Sequence, residues 1–170
     1  MLKGATRRDD FRRRNSNAKV PLLEFADGRY LAESNAIMLY LAEGSSVLPS
    51  AGYQRALVYQ WLFFEQYSHE PYIAVARSLI HLQGKAEEEA IKISFLHEKG
   101  HVALQVMDEH LQQNAWFAGD VFTIADMALY AYTHTAEDGL FKMDGYPAIK
   151  RWLGNIERRD DYVEMAHACR

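Results

Sequence analysis

The stretch KVPLLEFADGRYLAESNAIMLYLAE, residues 19–43, decides how the chain is read. Val20 to Phe25 has the composition of a strand but carries Pro21. Asp27-Gly28 is a tight-turn signal, and Arg29 to Ala32 returns as a second strand. Ser34 reads as an N-cap, with Ala36, Ile37, Tyr40 and Leu41 as the apolar face of the next helix and Gly44 as its stop. A proline in a strand removes a ladder donor and calls for a purpose. With a cis Val20–Pro21 bond, the backbone of Val20 turns outward, and its N–H and C=O can pair with an extended, peptide-like ligand. Glu33-Ser34 meets a helix N-terminus. Free N–H groups and the Ser34 hydroxyl there favour a carboxylate, while Glu33 can hold an ammonium. One carboxylate, one ammonium and one peptide backbone describe a γ-glutamyl peptide. The plainer alternative is an edge proline beside an ordinary N-cap.

Upstream, Thr6 with Asp9 reads as a capping box for a helix over about 7–14. Residues 1–19 hold seven basic side chains (Lys3, Arg7, Arg8, Arg12, Arg13, Arg14, Lys19) against Asp9 and Asp10. That is +5, which leaves −9 for the rest of a chain of net charge −4. Such a run is a solvated face, or in part a holder of an anionic ligand. Downstream, 45–52 is a Gly/Ser/Pro linker, which divides the chain into 1–44 and 53–170. The second part is helical throughout: Tyr53 to Leu82 with a kink near Tyr67 imposed by Pro71, then Ala86 to Gln112, Thr123 to Glu137 and Tyr146 to Arg159. Two strands alone make a hairpin that is marginal in water, with an apolar edge at Val20, Leu22 and Leu23. Either the helical part covers it, or strands that should precede residue 1 are absent.

Composition removes several classes of function. With 49% hydrophobic and 25% charged residues among 170, the chain is neither disordered nor fibrous. It has no apolar run of the ~20 residues a membrane helix needs, so no membrane partner is expected. MLKGATRRDD lacks the apolar segment of a signal peptide. A net charge of −4 speaks against nucleic acid. The one cysteine, Cys169, makes no internal disulfide, which points to a reducing, cytoplasmic compartment.

Three further patterns call for a reading. Thr123-Ile124-Ala125-Asp126 is a capping box with Phe122 and Met127 at its staple positions, a folding device. His97-Glu98-Lys99-Gly100-His101 matches the HExxH zinc pattern. However, the two histidines flank an apolar stripe (Ile93, Leu96, Gly100, Leu104, Met107, Leu111) and no third-ligand motif follows, so no metal is expected. The aromatic group Tyr59, Trp61, Phe63, Phe64, Tyr67 and Tyr72 reads mostly as core, and Glu65, His69 and Glu70 as surface polar groups.

The quoted stretch is similar to the glutathione-binding half of the cytosolic glutathione S-transferases. YQWLFFEQYSHEPYIAVAR resembles helices four and five of bacterial members, and FTIADMALYAYTH their sixth helix. The resemblance implies a mainly α fold: a partial thioredoxin-like α-β-β-α region followed by the all-α bundle of the family. It implies that Val20 bonds the cysteinyl backbone of glutathione, with Pro21 cis. Glu33 and Ser34 would bind the γ-glutamyl end, and Lys19 would lie near the glycyl end. Glutathione is then the co-substrate, and its thiolate attacks an apolar electrophile lined by Trp61, Phe64, Tyr72 and Arg77. A homodimer is implied, touching through the helix from Ser34 and the Tyr53–Leu82 helix.

Family members begin with a strand and a helix whose tip supplies a Tyr, Ser or Cys to the glutathione sulfur. This chain begins near the family's second helix, so no catalytic residue is assigned. The resemblance leaves a truncated reading frame, a fragment or a non-catalytic relative, and the alternative function is a binding or assembly module on the same fold.

Overall fold

A computed structural model describes residues 2–164. Cys169 lies outside them. The chain divides into two compact units, Met1–Ser50 and Ala51–Arg170.

In the first unit a 3-10 helix, Leu2–Arg7, precedes the short helix α1, Asp9–Arg12. The expected Thr6/Asp9 box does not form. Arg8 is the N-cap, in extended conformation and without a side-chain cap, so Thr6 stands too far back to reach the first turn. One of the basic residues, Arg14, is committed to Asp10 one turn earlier (3.6 Å). Strands β1 (Leu22–Glu24) and β2 (Tyr30–Ala32) form an antiparallel pair, the sheet found among the described residues. The turn between them is closed as its residues dictate. Gly28 takes a φ of 83°, and the Asp27 carboxylate accepts the Arg29 N–H at 3.1 Å. Helix α2, Ser34–Ala42, starts one residue earlier than expected: Glu33 is the N-cap and Ser34 lies in the first turn. Gly44, at φ 78°, follows its end. Tyr40 meets Phe25 edge-on at 5.0 Å, but Tyr40 and Leu41 stay exposed rather than forming a covered face.

The second unit is helical. Helix α3 (Gly52–Phe64) passes through a π-helical turn (Glu65–His69) into α4 (Glu70–Arg77) and a second π turn (Ser78–Leu82). Pro71 has no N–H, and its ring would press on the carbonyl four residues back. The ladder widens there, so that the Glu70 N–H donates to the carbonyl of Glu65, five residues back. The face this element buries runs Val58, Trp61, Leu62, Glu65, His69, Ile73 and Ala76. Glu65 and His69 are therefore core, not surface. Phe63 and Tyr67 face outward, contrary to the reading of the aromatic group as core.

Helix α5 (Ala90–Gln113) buries the whole expected stripe from Ile93 to Leu111. At Gly100 the ring of Phe141 fills the space a Cβ would need. Helix α6 is shorter than expected, Ile124–Thr133. The hydroxyls of Thr133 and Thr135 bond back to the carbonyls of Leu129 and Tyr132, and a 3-10 turn, Ala136–Gly139, takes over. Helix α7, Pro147–Glu157, receives no cap from its own N-terminal residue. Buried Asp108 of α5 caps it instead, accepting the N–H groups of Ala148 (2.8 Å) and Ile149 (3.0 Å).

Candidate functional site

The register of the hairpin builds the site in the first unit. Leu22 pairs with Ala32, Leu23 with Leu31 and Glu24 with Tyr30. The Phe25 N–H bonds the Arg29 carbonyl at 2.9 Å, in the same register. The ladder pairs end at Leu22 and Ala32, so Val20-Pro21 directly precedes one strand of the ladder and Glu33-Ser34 directly follows the other. The two dipeptides singled out in the sequence, twelve residues apart, thus flank the same open end of one ladder.

The local geometry at that end is unusual. The Val20–Pro21 peptide bond is cis. Val20 is 47% exposed, and among the described residues its N–H and C=O have no hydrogen-bond partner. Glu33 takes a left-handed φ of 71°, a conformation that costs a non-glycine residue and recurs at ligand sites. It breaks β2 and starts α2 with no side-chain cap, and the exposed Ser34 hydroxyl stands in the first turn.

Two asparagines that the sequence reading missed shape the approach. Asn15, nearly buried, donates to the Lys19 carbonyl at 2.8 Å and accepts the Asn17 N–H at 3.1 Å. The loop so held carries Ala18 at φ 55°. The Asn17 amide reaches the Glu33 carboxylate at 3.4 Å. Asn-Ser-Asn before a proline is a turn signal that would have pointed to this clamp. The Lys19 side chain is exposed.

In the helical unit the residues offered for an electrophile separate. Trp61, 5% exposed, is enclosed by Phe64, His110 and Phe117 at centroid distances of 5.1, 4.7 and 4.6 Å. Its ring belongs to the core of the helical unit. Phe64 and Tyr72 are half-buried. Arg77 is tied to Asp138 at 3.0 Å. The HExxH histidines have partners of their own. His97 meets the Gly139 carbonyl at 2.7 Å and His101 the Tyr146 hydroxyl at 2.8 Å. Burial, then His97 and Lys142, hold the His101 pKa below its ordinary value.

The capping box at α6 is complete. The Asp126 carboxylate accepts from the Thr123 N–H (2.9 Å), the Phe117 N–H (3.1 Å) and the Trp152 indole (3.0 Å). Burial raises its pKa, and those bonds oppose the rise. Fully buried His69 has one partner. Its Nε2 lies 2.9 Å from the Thr133 hydroxyl, which itself donates to the Leu129 carbonyl at 2.6 Å. The hydroxyl proton is thereby committed, so Nε2 carries the imidazole hydrogen and Nδ1 is bare and unpartnered.

Residues 2–43 match the model of the glutathione S-transferase N-terminal domain and residues 60–160 that of the C-terminal domain. The chain belongs to the glutathione S-transferase family. Among curated relatives of this glutathione S-transferase chain, glutathione S-transferase F10 of Arabidopsis thaliana is 34% identical, over 98% of this chain and 81% of the relative. The disulfide-bond oxidoreductase YfcG of Escherichia coli is 30% identical, over 92% and 75%. A glutathione S-transferase crystal structure from Pseudomonas fluorescens is 46% identical, with a TM-score of 0.93 over 95% of this chain and 81% of that one. A second family member from that organism, solved with two glutathione molecules bound, is 26% identical, with a TM-score of 0.77 over 91% and 73%. The function is glutathione S-transferase-like, that of a transferase. Among the described residues no helix is long and apolar enough to cross a membrane.

Proposed function

We propose that this chain binds glutathione at the open end of the β1–β2 ladder and presents its thiol to an apolar electrophile. The observation that supports the reading is the hairpin's open end, flanked by the cis Val20-Pro21 on one strand and by Glu33-Ser34 on the other. The unpaired N–H and C=O of Val20 suit the cysteinyl backbone of the tripeptide, as an added strand would be held. The γ-glutamyl ammonium goes to the Glu33 carboxylate. Its carboxylate goes to the Ser34 hydroxyl at the N-terminus of α2. Lys19 faces the glycyl carboxylate as a mobile counter-charge. The nucleophile is the ligand's own sulfur, and the protein supplies position. No side chain is assigned to lowering the sulfur's pKa.

The reading includes a glutathione-binding part over 1–44 and a helical part over 53–170, with Phe64 and Tyr72 toward the electrophile. It also includes a cytoplasmic homodimer. Exposed Tyr40, Leu41, Phe63 and Tyr67 on α2, α3 and the first π turn support the dimer. The test is conjugation of glutathione to a chlorinated nitrobenzene, run beside retention on immobilised glutathione. Turnover supports the transferase. Retention without turnover makes the chain a binding module on this fold, and loss of both refutes the reading.

A further inference from the structure

Asn15 is a buried amide in an otherwise exposed stretch: Arg12, Arg13 and Arg14 before it, and Ser16 and Asn17 after it, face solvent. Each of its polar groups is used, and each within a few residues. Its N–H donates to the Phe11 carbonyl and its C=O accepts the Ala18 N–H, both at 2.9 Å. Its Oδ1 accepts the Asn17 N–H at 3.1 Å, and its Nδ2 donates to the Lys19 carbonyl at 2.8 Å. The loop closed in this way holds Ala18 at φ 55°, a left-handed conformation that costs a residue with a Cβ. It delivers Val20, whose own N–H and C=O find no partner among the described residues. A buried hub and a strained turn thus fix a piece of backbone that returns no hydrogen bond to the chain.

The peptide plane sets the aim. The Lys19 C=O and the Val20 N–H belong to one planar trans unit and lie on its opposite edges. With the carbonyl drawn to Asn15, the N–H turns the other way, out of the loop. The same side chain steadies Asn17, whose amide reaches the Glu33 carboxylate at 3.4 Å. We infer, on the glutathione reading above, that Asn15 is a positioning residue that aims the Val20 N–H at the cysteinyl carbonyl of the tripeptide. It touches no ligand itself, and it makes the site selective for a thiol that presents a carbonyl at that point. Aspartate has the same shape and still accepts the Asn17 N–H. It sets an oxygen against the Lys19 carbonyl oxygen, however, and so releases that peptide plane.

The test is an amide-shift titration of the full chain with glutathione and with two thiols that lack its glycine. γ-Glutamylcysteinamide keeps the cysteinyl carbonyl, and γ-glutamylcysteamine does not. Wild type should bind the first about tenfold more tightly than the second, the worth of one hydrogen bond whose donor is otherwise left unpaired. In Asn15→Asp that preference should fall to about twofold or less, through weaker binding of the carbonyl-bearing thiol. Asn15→Ser keeps a donor on a shorter arm and should fall between the two; it carries the test if the aspartate variant does not fold. Wild type that binds no glutathione removes the site reading and this inference together. Wild type that binds glutathione but holds the two thiols equally overturns the positioning role alone. So does an Asn15 variant that weakens both thiols by the same factor, or neither.

Discussion

Replacing His69 with glutamine should remove a large part of the acid sensitivity of the helical unit. The imidazole is fully buried, Nδ1 has no partner, and burial pushes its pKa down to about 3 from an ordinary 6.5. A folded-state pKa below the unfolded value means that the unfolded chain takes up the proton first. The contribution of neutral His69 is therefore fully present above pH 6.5 and is lost as pH falls toward 3. The slope is about 1.4 kcal/mol per pH unit, one proton's worth. Between pH 6.5 and 4.5, above the main carboxylate range, the loss is about 2 kcal/mol. That is a large share of the 5–15 kcal/mol typical of a domain. Glutamine can still donate an amide N–H to the Thr133 hydroxyl, but it does not titrate. Urea unfolding at half-unit pH steps should show wild type losing stability across this window, while His69→Gln, weaker at pH 7.5, falls much less steeply, the remainder including His101. Parallel slopes for the two proteins would refute the assignment of a neutral imidazole to the core.

Two substitutions elsewhere have expected magnitudes. Thr123→Ala removes the cap hydroxyl of α6 and should cost about 1 kcal/mol in thermal unfolding; an unchanged midpoint would contradict the capping role. Gly100→Ala pushes a methyl into the Phe141 ring and should cost about 1–3 kcal/mol, recovered in part by Phe141→Leu. Equal stability of Gly100→Ala and wild type would show that the ring has room to move.

Much of the hairpin was legible because its residues are chemically particular. Proline before a strand, Asp-Gly at the turn and Glu-Ser ahead of an apolar helix each restrict the backbone in a known way. The box Thr123–Asp126 was legible for the same reason. Boundaries slipped where two local options compete, as at Thr6, Ser34 and the threonines ending α6. His69 and Glu65 were misread because residue type outweighed spacing. Steps of three and four residues from Val58 through Leu62 lead directly to both, and on to Ile73. Phe63 and Tyr67 fail the same spacing and lie outside. Asp108 was not recognisable at all, since it caps a helix forty residues further along the chain, a link that only the packed bundle creates.

The central claim is a cradle for glutathione at the end of the hairpin, and amide chemical shifts during a glutathione titration test it most directly. Saturable shifts should gather at Val20, Glu33, Ser34 and Asn35, and both Glu33→Gln and Ser34→Ala should weaken them. Shifts that do not saturate, or that saturate elsewhere and ignore both substitutions, would contradict it.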